Sequence, residues 1–152
     1  IGSLPEPVDA SMNEVLAHVV NYMDRRTSKK VEITTNMPDD DIIVKINASL
    51  FEWVIENLCK NAVDAMEGSG KIDLMLHDEG SRIIIEVKDN GKGIRKKDLK
   101  NVFKPGFTTK KRGWGLGLSL AKRIVEEYHK GRIYVKSSEV GVGTTFRIEM
   151  PK

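Results

Sequence analysis

Residues 87–94 read VKDNGKGI, and residues 103–117 read FKPGFTTKKRGWGLG; this region decides how the chain is interpreted. The turn Asp89-Asn90-Gly91 follows an alternating apolar run, so it lies where a strand ends. A helical pattern then opens with three glycines, Gly113, Gly115 and Gly117. The segment between turn and glycines carries nine basic residues and one acidic residue, whereas the whole chain has a net charge of +3. Glycine-rich backbone, a helix N-terminus and mobile positive charge suit a polyphosphate, which predicts a nucleotide site with a flexible lid.

The composition is that of an ordinary soluble domain. The chain has 152 residues, of which 39% are apolar and 31% charged, enough for one domain with a sizeable core. No apolar run reaches the roughly 18 residues of a membrane span, and the start lacks the features of a signal peptide. The chain does not begin with Met, which suggests a piece of a longer protein. The single cysteine, Cys59, lies among apolar neighbours, so we expect a core thiol and no internal disulfide.

Hydrophobic periodicity predicts helices that alternate with antiparallel hairpins. Helical spacing occurs in 12–26, 48–66 and 116–128, and a weaker, charged helix is predicted over 95–102. Alternating or β-branched runs predict strands at 31–37, 41–46, 71–77, 82–89, 132–138 and 143–150. The order αββαββ(α)αββ favours the α+β class, as a two-layer sandwich with its helices on one face.

The second long helix carries polar residues on an otherwise apolar background. In ENLCKNAVDAM (56–66), Asn57, Asn61 and Asp64 stand at i, i+4 and i+7, so they share one side. Burying carboxamides without partners costs about 1–3 kcal/mol each, so a site explains this pair better than a core. The amide oxygen of Asn61 is a hard ligand for Mg²⁺, which completes its octahedron with waters and phosphate oxygens. Asparagines that are solvated or bonded locally are the alternative.

The acidic turn offers a second binding feature. An ionised Asp89 accepts a hydrogen bond from an exocyclic amine such as that of adenine, worth about 1.5–3 kcal/mol. Gly91 and Gly93 let the backbone approach a flat base, although Asp-Asn-Gly alone is more often a plain turn. The later glycines do not form a dinucleotide fingerprint, because Leu118 occupies the third glycine position. A flexible loop before a helix is the alternative for them.

These motifs, in this order, resemble the ATP-binding catalytic domain of sensor histidine kinases, in the gyrase, chaperone and histidine-kinase ATPase superfamily. ENLCKNAVDAM resembles the N box, VKDNGKGI the first G box, VFKPGFTTK the F box, GWGLGLSLAKRI the second G box and GVGTTFRIEMP the closing strand motif. The resemblance extends over residues 9–150. It implies the Bergerat-type α/β sandwich, a mixed, mostly antiparallel sheet of about five strands packed on three helices.

The resemblance also implies roles for individual residues. Asn61 matches the Mg²⁺-ligating asparagine, Asp89 the adenine-binding aspartate, and Lys110 a lid lysine expected to reach the phosphates. The catalytic candidates are Asn61, Lys110 and Glu56, the last touching the acceptor or polarising a water. The ATP-binding positions implied are Asn57, Lys60, Asn61, Asp64, Asp89, Gly91, Gly93, Ile94, Phe103, Phe107, Thr108, Lys110, Gly113, Gly115, Leu116, Gly117, Leu118 and Thr144.

The implied reaction transfers the γ-phosphoryl group of Mg·ATP to a histidine imidazole. In the family this histidine lies on a separate dimerising domain, and none of His18, His77 and His129 stands in the expected context. We therefore expect residues 1–8 to be a linker and residues 9–152 a catalytic domain, monomeric alone but part of a homodimeric parent. A response regulator is the expected onward partner. The expected location is cytoplasmic, even if other segments anchor the parent in the inner membrane.

Departures from the family and competing functions complete the sequence-based interpretation. Trp114 stands where the family usually has a small residue, and Asn57 stands where the ATP-hydrolysing branches carry a catalytic Glu, which favours phosphotransfer. An ATPase or protein-serine kinase of the same superfamily is the enzymatic alternative. The basic segment lacks the aromatic interleaving of a nucleic-acid platform, so no nucleic acid is expected as a partner. Intact Asn61 and Asp89 disfavour a degenerate scaffold.

Overall fold

The structure, a computed structural model, describes residues 6–107 and 117–152. Its α-helices in these ranges are α1 (Met12–Arg26), α2 (Ala48–Ala65) and α3 (Gly117–Arg123), and α3 continues into a π-helical turn at Ile124–Tyr128. The strands are β1 (Val8–Ser11), β2 (Val31–Asn36), β3 (Ile43–Ile46), β4 (Gly70–Asp78), β5 (Arg82–Asp89), β6 (Arg132–Glu139) and β7 (Gly143–Pro151).

Five strands form the main sheet in the order β2-β4-β5-β7-β6. β2 is parallel to β4, and the other neighbouring strands are antiparallel. In the register of β5 with β7, Asp89 lies opposite Thr144. Three helices pack on this mixed, mostly antiparallel sheet, which confirms the predicted sandwich.

The first two helices form where an apolar stripe follows a good N-cap. Ser11 Oγ accepts the Glu14 N–H at 3.2 Å, and Asn47 Oδ1 accepts the Leu50 N–H at 3.1 Å. α1 buries Met12, Val15, Leu16, Val19 and Met23, and α2 buries Phe51, Val54, Ile55, Leu58, Cys59 and Ala62. Burial, with a smaller effect of the Glu56 charge, raises the pKa of Cys59 to about 12. The predicted core thiol is therefore confirmed.

Three local predictions need correction. The strand predicted at 41–46 begins at Ile43 and pairs with β1 in a separate two-stranded sheet, since residues predicted only as a linker end and a helix cap form β1. The helix predicted over 95–102 is only a 3₁₀ turn at Lys96–Asp98, where charged residues offer no apolar stripe and Val102 alone is fully buried. The helix predicted to end at 128 changes to π geometry from Ile124.

Within residues 6–107 and 117–152, the structure contains no helix with the length and apolar character needed to cross a membrane. The division of the chain into a linker at 1–8 and a domain at 9–152 stays a prediction. Val8, at the end of the predicted linker, already belongs to β1 and pairs with Ile46.

Candidate functional site

The polar side of α2 forms one wall of the candidate site. Asn57 and Asn61 are half-buried, and Asp64 is exposed. The Nδ2 atom of Asn57 is buried and has no hydrogen-bond partner within the described part of the chain. Leaving such a donor unsatisfied costs about 1–3 kcal/mol. The atom is therefore placed to donate to a ligand that supplies an acceptor.

Asp89 ends β5 and is only 6% exposed. Its Oδ1 accepts the Gly91 N–H at 2.8 Å. Burial raises the pKa of this carboxyl, and hydrogen bonds from the backbone amides of Gly91 and Thr144 act in the opposite direction. Among the residues that the structure describes, no cation forms an ion pair with Asp89. The carboxylate is thus desolvated and held by backbone alone.

The turn that follows Asp89 packs against the C-terminal end of α2. The Lys92 N–H donates to the Ala65 carbonyl at 2.9 Å. Gly91 lies against the same residue, and a Cβ added to it would lie 2.7 Å from the Ala65 backbone. Ala65 is one helical turn beyond Asn61. The structure therefore brings the Asp89 turn to the helix that carries Asn57 and Asn61.

The turn between β6 and β7 closes the other side of this loop. The Gly141 N–H donates to the Lys92 carbonyl at 2.9 Å. Gly93 has φ +76°, in the left-handed region that favours glycine, and a Cβ there would collide with the Glu139 backbone. A side chain at Gly93 would therefore force the two loops apart.

A hydroxyl pair lies beside the same loop. Ser138 Oγ accepts the Ile94 N–H at 2.8 Å and lies 2.8 Å from Thr144 Oγ1. Thr144 was predicted as an ATP-binding position, whereas nothing in the sequence singled out Ser138. The pairing of β6 with β7, including a register shift between Val135 and Ser137, brings Ser138 here. No signal in the sequence alone could have found it.

The N-terminus of α3 meets α2 at Asn57. A Cβ added to Gly117 would lie 2.5 Å from Asn57 Nδ2 and 2.9 Å from its Oδ1. Any larger residue at Gly117 would displace α3 or the Asn57 carboxamide. Leu118 is half-buried and packs against the core. The structure thus brings Gly117, in the second glycine motif, against the helix that carries Asn57 and Asn61.

The aromatic motif contacts β7 and α3. The Phe103 ring meets Phe146 of β7 edge-on, with ring centroids 6.0 Å apart, and Lys122 Nζ lies 5.4 Å from the Phe103 centroid. Ile94 is also half-buried and packs against the core. The Phe107 N–H donates to the Lys104 carbonyl at 3.1 Å. Phe103 and Ile94 therefore anchor the basic connector.

Lys60 lies on a different side of α2 from the two asparagines. Its ammonium is 5.8 Å from the centroid of the Tyr22 ring on α1. Glu56 is half-buried, and its charge acts on Cys59. The predicted roles of Lys60 and Glu56 stay predictions. The remaining predicted positions fall outside the described residues: Thr108, Lys110, Gly113, Gly115 and Leu116.

The side chains present suit a magnesium ion that arrives with a polyphosphate. In the described part of the chain, no group of three or more His, Cys, Asp or Glu side chains could hold a metal ion. Mg²⁺ keeps several waters and takes one or two protein oxygens plus phosphate oxygens. Asn61 offers an amide oxygen, and the unsatisfied Asn57 Nδ2 one turn earlier suits an anionic oxygen. This donor set fits that ion.

The chain is similar to known proteins over most of its length. Residues 46–152 match the family described as histidine kinase-, DNA gyrase B- and HSP90-like ATPases. The sensor histidine kinase ZraS of Salmonella typhimurium is 35% identical over 144 residues, which cover 93% of this chain and 30% of ZraS. The nucleotide-free catalytic domain of the histidine kinase ThkA has a TM-score of 0.87 at 28% identity, covering 98% of this chain and 97% of that one.

A second ThkA structure shows that kinase in complex with the response regulator TrrA. It matches with a TM-score of 0.82 and 26% identity over 96% of this chain and 42% of that one. The match over residues 46–152 places the chain in a class of ATPase domains. The chain belongs to the family of histidine kinase-, DNA gyrase B- and HSP90-like ATPases. It spans between a fifth and a third of the length of the curated relatives it matches first.

Proposed function

We propose that this chain is the ATP-binding catalytic domain of a two-component sensor histidine kinase. One observation carries the proposal: the buried Asp89 carboxylate, without a cation partner in the described residues, is held against the helix of Asn57 and Asn61. A desolvated carboxylate suits the neutral amino group of adenine, and the carboxamides one to two helical turns away suit the phosphates.

Each part of the site has a task in nucleotide binding. Asp89 accepts a hydrogen bond from the adenine amino group, and the glycine turn keeps side chains away from the base. Asn57 Nδ2 donates to a phosphate oxygen. Asn61 holds Mg²⁺, which neutralises phosphate charge when it is bound.

The reaction transfers the γ-phosphoryl group to a histidine of a separate dimerisation domain. The bond to the β,γ-bridging oxygen breaks, a bond to an imidazole nitrogen forms, and ADP leaves. A response-regulator aspartate then receives the phosphoryl group. The relatives named as sensor histidine kinases and the ThkA–TrrA complex support this assignment over an ATPase or a protein-serine kinase. The domain acts in the cytoplasm, where ATP and the regulator are available.

The histidines of this chain support an acceptor elsewhere. His18 forms an ion pair with Glu52 at 2.9 Å. His129 is 5% exposed and makes two hydrogen bonds. His77 lies near the end of β4, opposite Ile84 of β5. None of the three adjoins the Asp89 turn through a described contact.

The test combines the chain with Mg·ATP labelled at the γ-phosphate and a separately prepared dimerisation domain of its parent kinase. We expect label on the dimerisation domain that is acid-labile and base-stable, and that requires Mg²⁺. Asn61→Asp should abolish the transfer. Asn36→Asp makes the same chemical change at an exposed position of β2 and should leave it intact. Phosphate released to water, or an acid-stable phosphoserine, would instead establish the alternative activity.

A further inference from the structure

His129 is a buried histidine whose two ring nitrogens are both hydrogen-bonded. Nε2 accepts the backbone N–H of Asn47 at 3.0 Å, and Nδ1 lies 2.9 Å from the Ile124 carbonyl. A carbonyl only accepts and a backbone N–H only donates. Nδ1 must therefore carry the proton and Nε2 must be bare. The neutral imidazole is the single protonation state that satisfies both contacts.

The π-helical turn creates this arrangement. The Ile124 carbonyl accepts the backbone N–H of His129 at 3.2 Å as well as the bond from Nδ1. The wider turn places the imidazole between the Tyr128 ring and the Phe51 ring of α2, at centroid distances of 4.7 and 5.4 Å. Such turns are rare and occur frequently at functional sites. Here the turn directs the His129 side chain at Asn47, the N-cap residue of α2.

The α3 segment, by which we mean residues 117–129, therefore meets α2 at two places. At one end Gly117 lies against Asn57, and at the other His129 bonds to Asn47, the N-cap residue of α2. The two contact points on α2 are ten residues apart, about 15 Å along a helix axis. Buried Ala121 and Val125 hold the middle of the segment against the core. Losing the His129 bond would therefore shift the segment on α2 and change how Gly117 lies against the Asn57 carboxamide.

We propose that His129 is a positioning residue for the nucleotide site, because the neutral imidazole sets the placement of α3 on α2 and thereby the geometry at Asn57. This inference rests on the proposed nucleotide binding. It adds that affinity for ATP depends on a side chain remote from the ligand, and that acidification releases this contact. A protonated ring would turn an N–H of Nε2 against the N–H of Asn47.

The surroundings of His129 fix the sign of the pH effect. The groups that face it are the Asn47 amide and the Phe51 ring from α2, and the Ile124 carbonyl and Tyr128 phenol ring from the π-helical turn. Its charged neighbours in the chain contact other groups: Glu127 pairs with Arg123, and Lys130 Nζ donates to the Glu127 carbonyl. Burial lowers the pKa of His129, opposed in part by the Ile124 carbonyl.

Because the folded-state pKa lies below the ordinary value of about 6.5, the His129 imidazole is neutral and bonded to Asn47 above that pH. This contact is lost as the pH falls through the lowered pKa. Acidification also protonates Asp89 and the terminal phosphate of ATP. A variant without a titrating group at position 129 experiences those same changes and isolates the contribution of the imidazole.

Two substitutions separate the two hydrogen bonds. The amide of His129→Gln reaches the position of Nε2 and keeps an acceptor for Asn47. The shorter amide of His129→Asn keeps a donor for Ile124 at the position of Nδ1 but leaves Asn47 unpaired. Mg·ATP affinity is measured by calorimetry from pH 7.5 to 4.5, well below the melting temperature of each variant.

At pH 7.5 we expect His129→Gln to match the parent and His129→Asn to bind about two- to tenfold more weakly, the worth of one hydrogen bond. On acidification the parent should weaken more than His129→Gln. Equal affinities of His129→Asn and the parent would overturn the inference. Identical pH profiles of His129→Gln and the parent would overturn it as well, and this second comparison can be made even if His129→Asn fails to fold. A folded parent that binds no ATP at pH 7.5 would overturn the proposed function and this inference together.

Discussion

Two carboxylates on neighbouring strands lie in opposite electrostatic environments. Asp89, at the end of β5, is 6% exposed and bonded only to backbone amides in the described structure. Glu149, in β7, has a side chain that is 11% exposed and surrounded by cations and a phenol. Burial raises the pKa of Asp89, whereas the hydrogen bond from Tyr134 and then the nearby arginines lower the pKa of Glu149.

The partners of Glu149 belong to the outer face of the sheet. Tyr134 Oη donates to Glu149 Oε2 at 2.5 Å. Three guanidinium groups lie close to the same carboxylate, at 2.9, 3.7 and 3.5 Å, from Arg82, Arg132 and Arg147. Both oxygens of Glu149 are thus paired within the chain. Glu149 is therefore a structural carboxylate.

The contrast shows what marks a binding carboxylate. Burying an ionised group without a counter-charge is unfavourable, and Asp89 avoids this cost only partly, through two backbone amides. It has room to accept a further hydrogen bond, while Glu149 is already engaged on both oxygens. An unneutralised carboxylate in a glycine-lined turn is thus a better sign of function than a large cluster of charges.

The largest expected effect is on nucleotide affinity. Asp89→Asn places an amide where the adenine amino group needs an acceptor, and affinity for Mg·ATP should fall by about ten- to a hundredfold, since 1.4 kcal/mol is tenfold. Isothermal calorimetry at neutral pH measures this. Glu149→Gln is the matched control, because it removes the same charge from the neighbouring strand and should bind as the parent does. Unchanged affinity of Asp89→Asn would refute the adenine assignment.

For folding stability, Glu149→Gln should have a larger effect than Asp89→Asn. Glu149→Gln removes the charge that three arginines and Tyr134 share, and the free energy of unfolding should fall by roughly 1–2 kcal/mol. Urea denaturation of the nucleotide-free domain checks the value. Asp89→Asn removes a desolvated charge and should cost less. A larger loss of stability for Asp89→Asn than for Glu149→Gln would remove the distinction between the two carboxylates.

The pH dependence of the two groups should also differ in sign. The folded-state pKa of Asp89 is raised, so its contribution to folding stability decreases as the pH rises through that pKa. The folded-state pKa of Glu149 is lowered, so its contribution is complete above the ordinary Glu value of about 4.3 and is lost as the pH falls further. Carboxyl-carbon NMR titration, assigned with the two variants, should find the pKa of Asp89 above the ordinary Asp value and the pKa of Glu149 below the ordinary Glu value. A shift of Asp89 in the downward direction would contradict the burial argument.

The fold followed from the sequence wherever one element carries a strong local signal. The strands predicted at 71–77 and 82–89 form a hairpin as expected, and in its turn the Gly80 N–H donates to Asp78 Oδ1 at 2.8 Å. β1 could not be predicted, because its four residues become a strand only by pairing with β3. The π-helical turn likewise occurs together with a distant contact, since the His129 side chain bonds to Ile124 and to a residue 82 positions earlier. Such tertiary contacts leave no periodic pattern.

The site shows the same division. Asp89 and Asn61 stand in recognisable motifs, and the structure brings their elements into contact at Ala65. Ser138 reaches the site only through strand pairing. Lys60 shows the limit of sequence proximity: it neighbours Asn61 in the chain, but successive helical residues are about 100° apart. Its side chain therefore reaches Tyr22 of α1.

The smallest expected effect concerns the hydrogen bond from Tyr134 and its contribution to the lowered pKa of Glu149. Tyr134→Phe removes one hydrogen bond but leaves the three arginines, so stability should fall by about 0.5–1 kcal/mol, less than for Glu149→Gln. The pKa of Glu149 should rise toward its ordinary value, because the bond from Tyr134 is the main cause of its depression. Urea denaturation and the carboxyl titration measure both changes, with Tyr22→Phe on α1, whose ring contacts Arg26, as the matched control. If Tyr134→Phe left the Glu149 pKa unmoved, the arginines alone would hold that charge, and the comparison with Asp89 would rest on ion pairs rather than on hydrogen bonding.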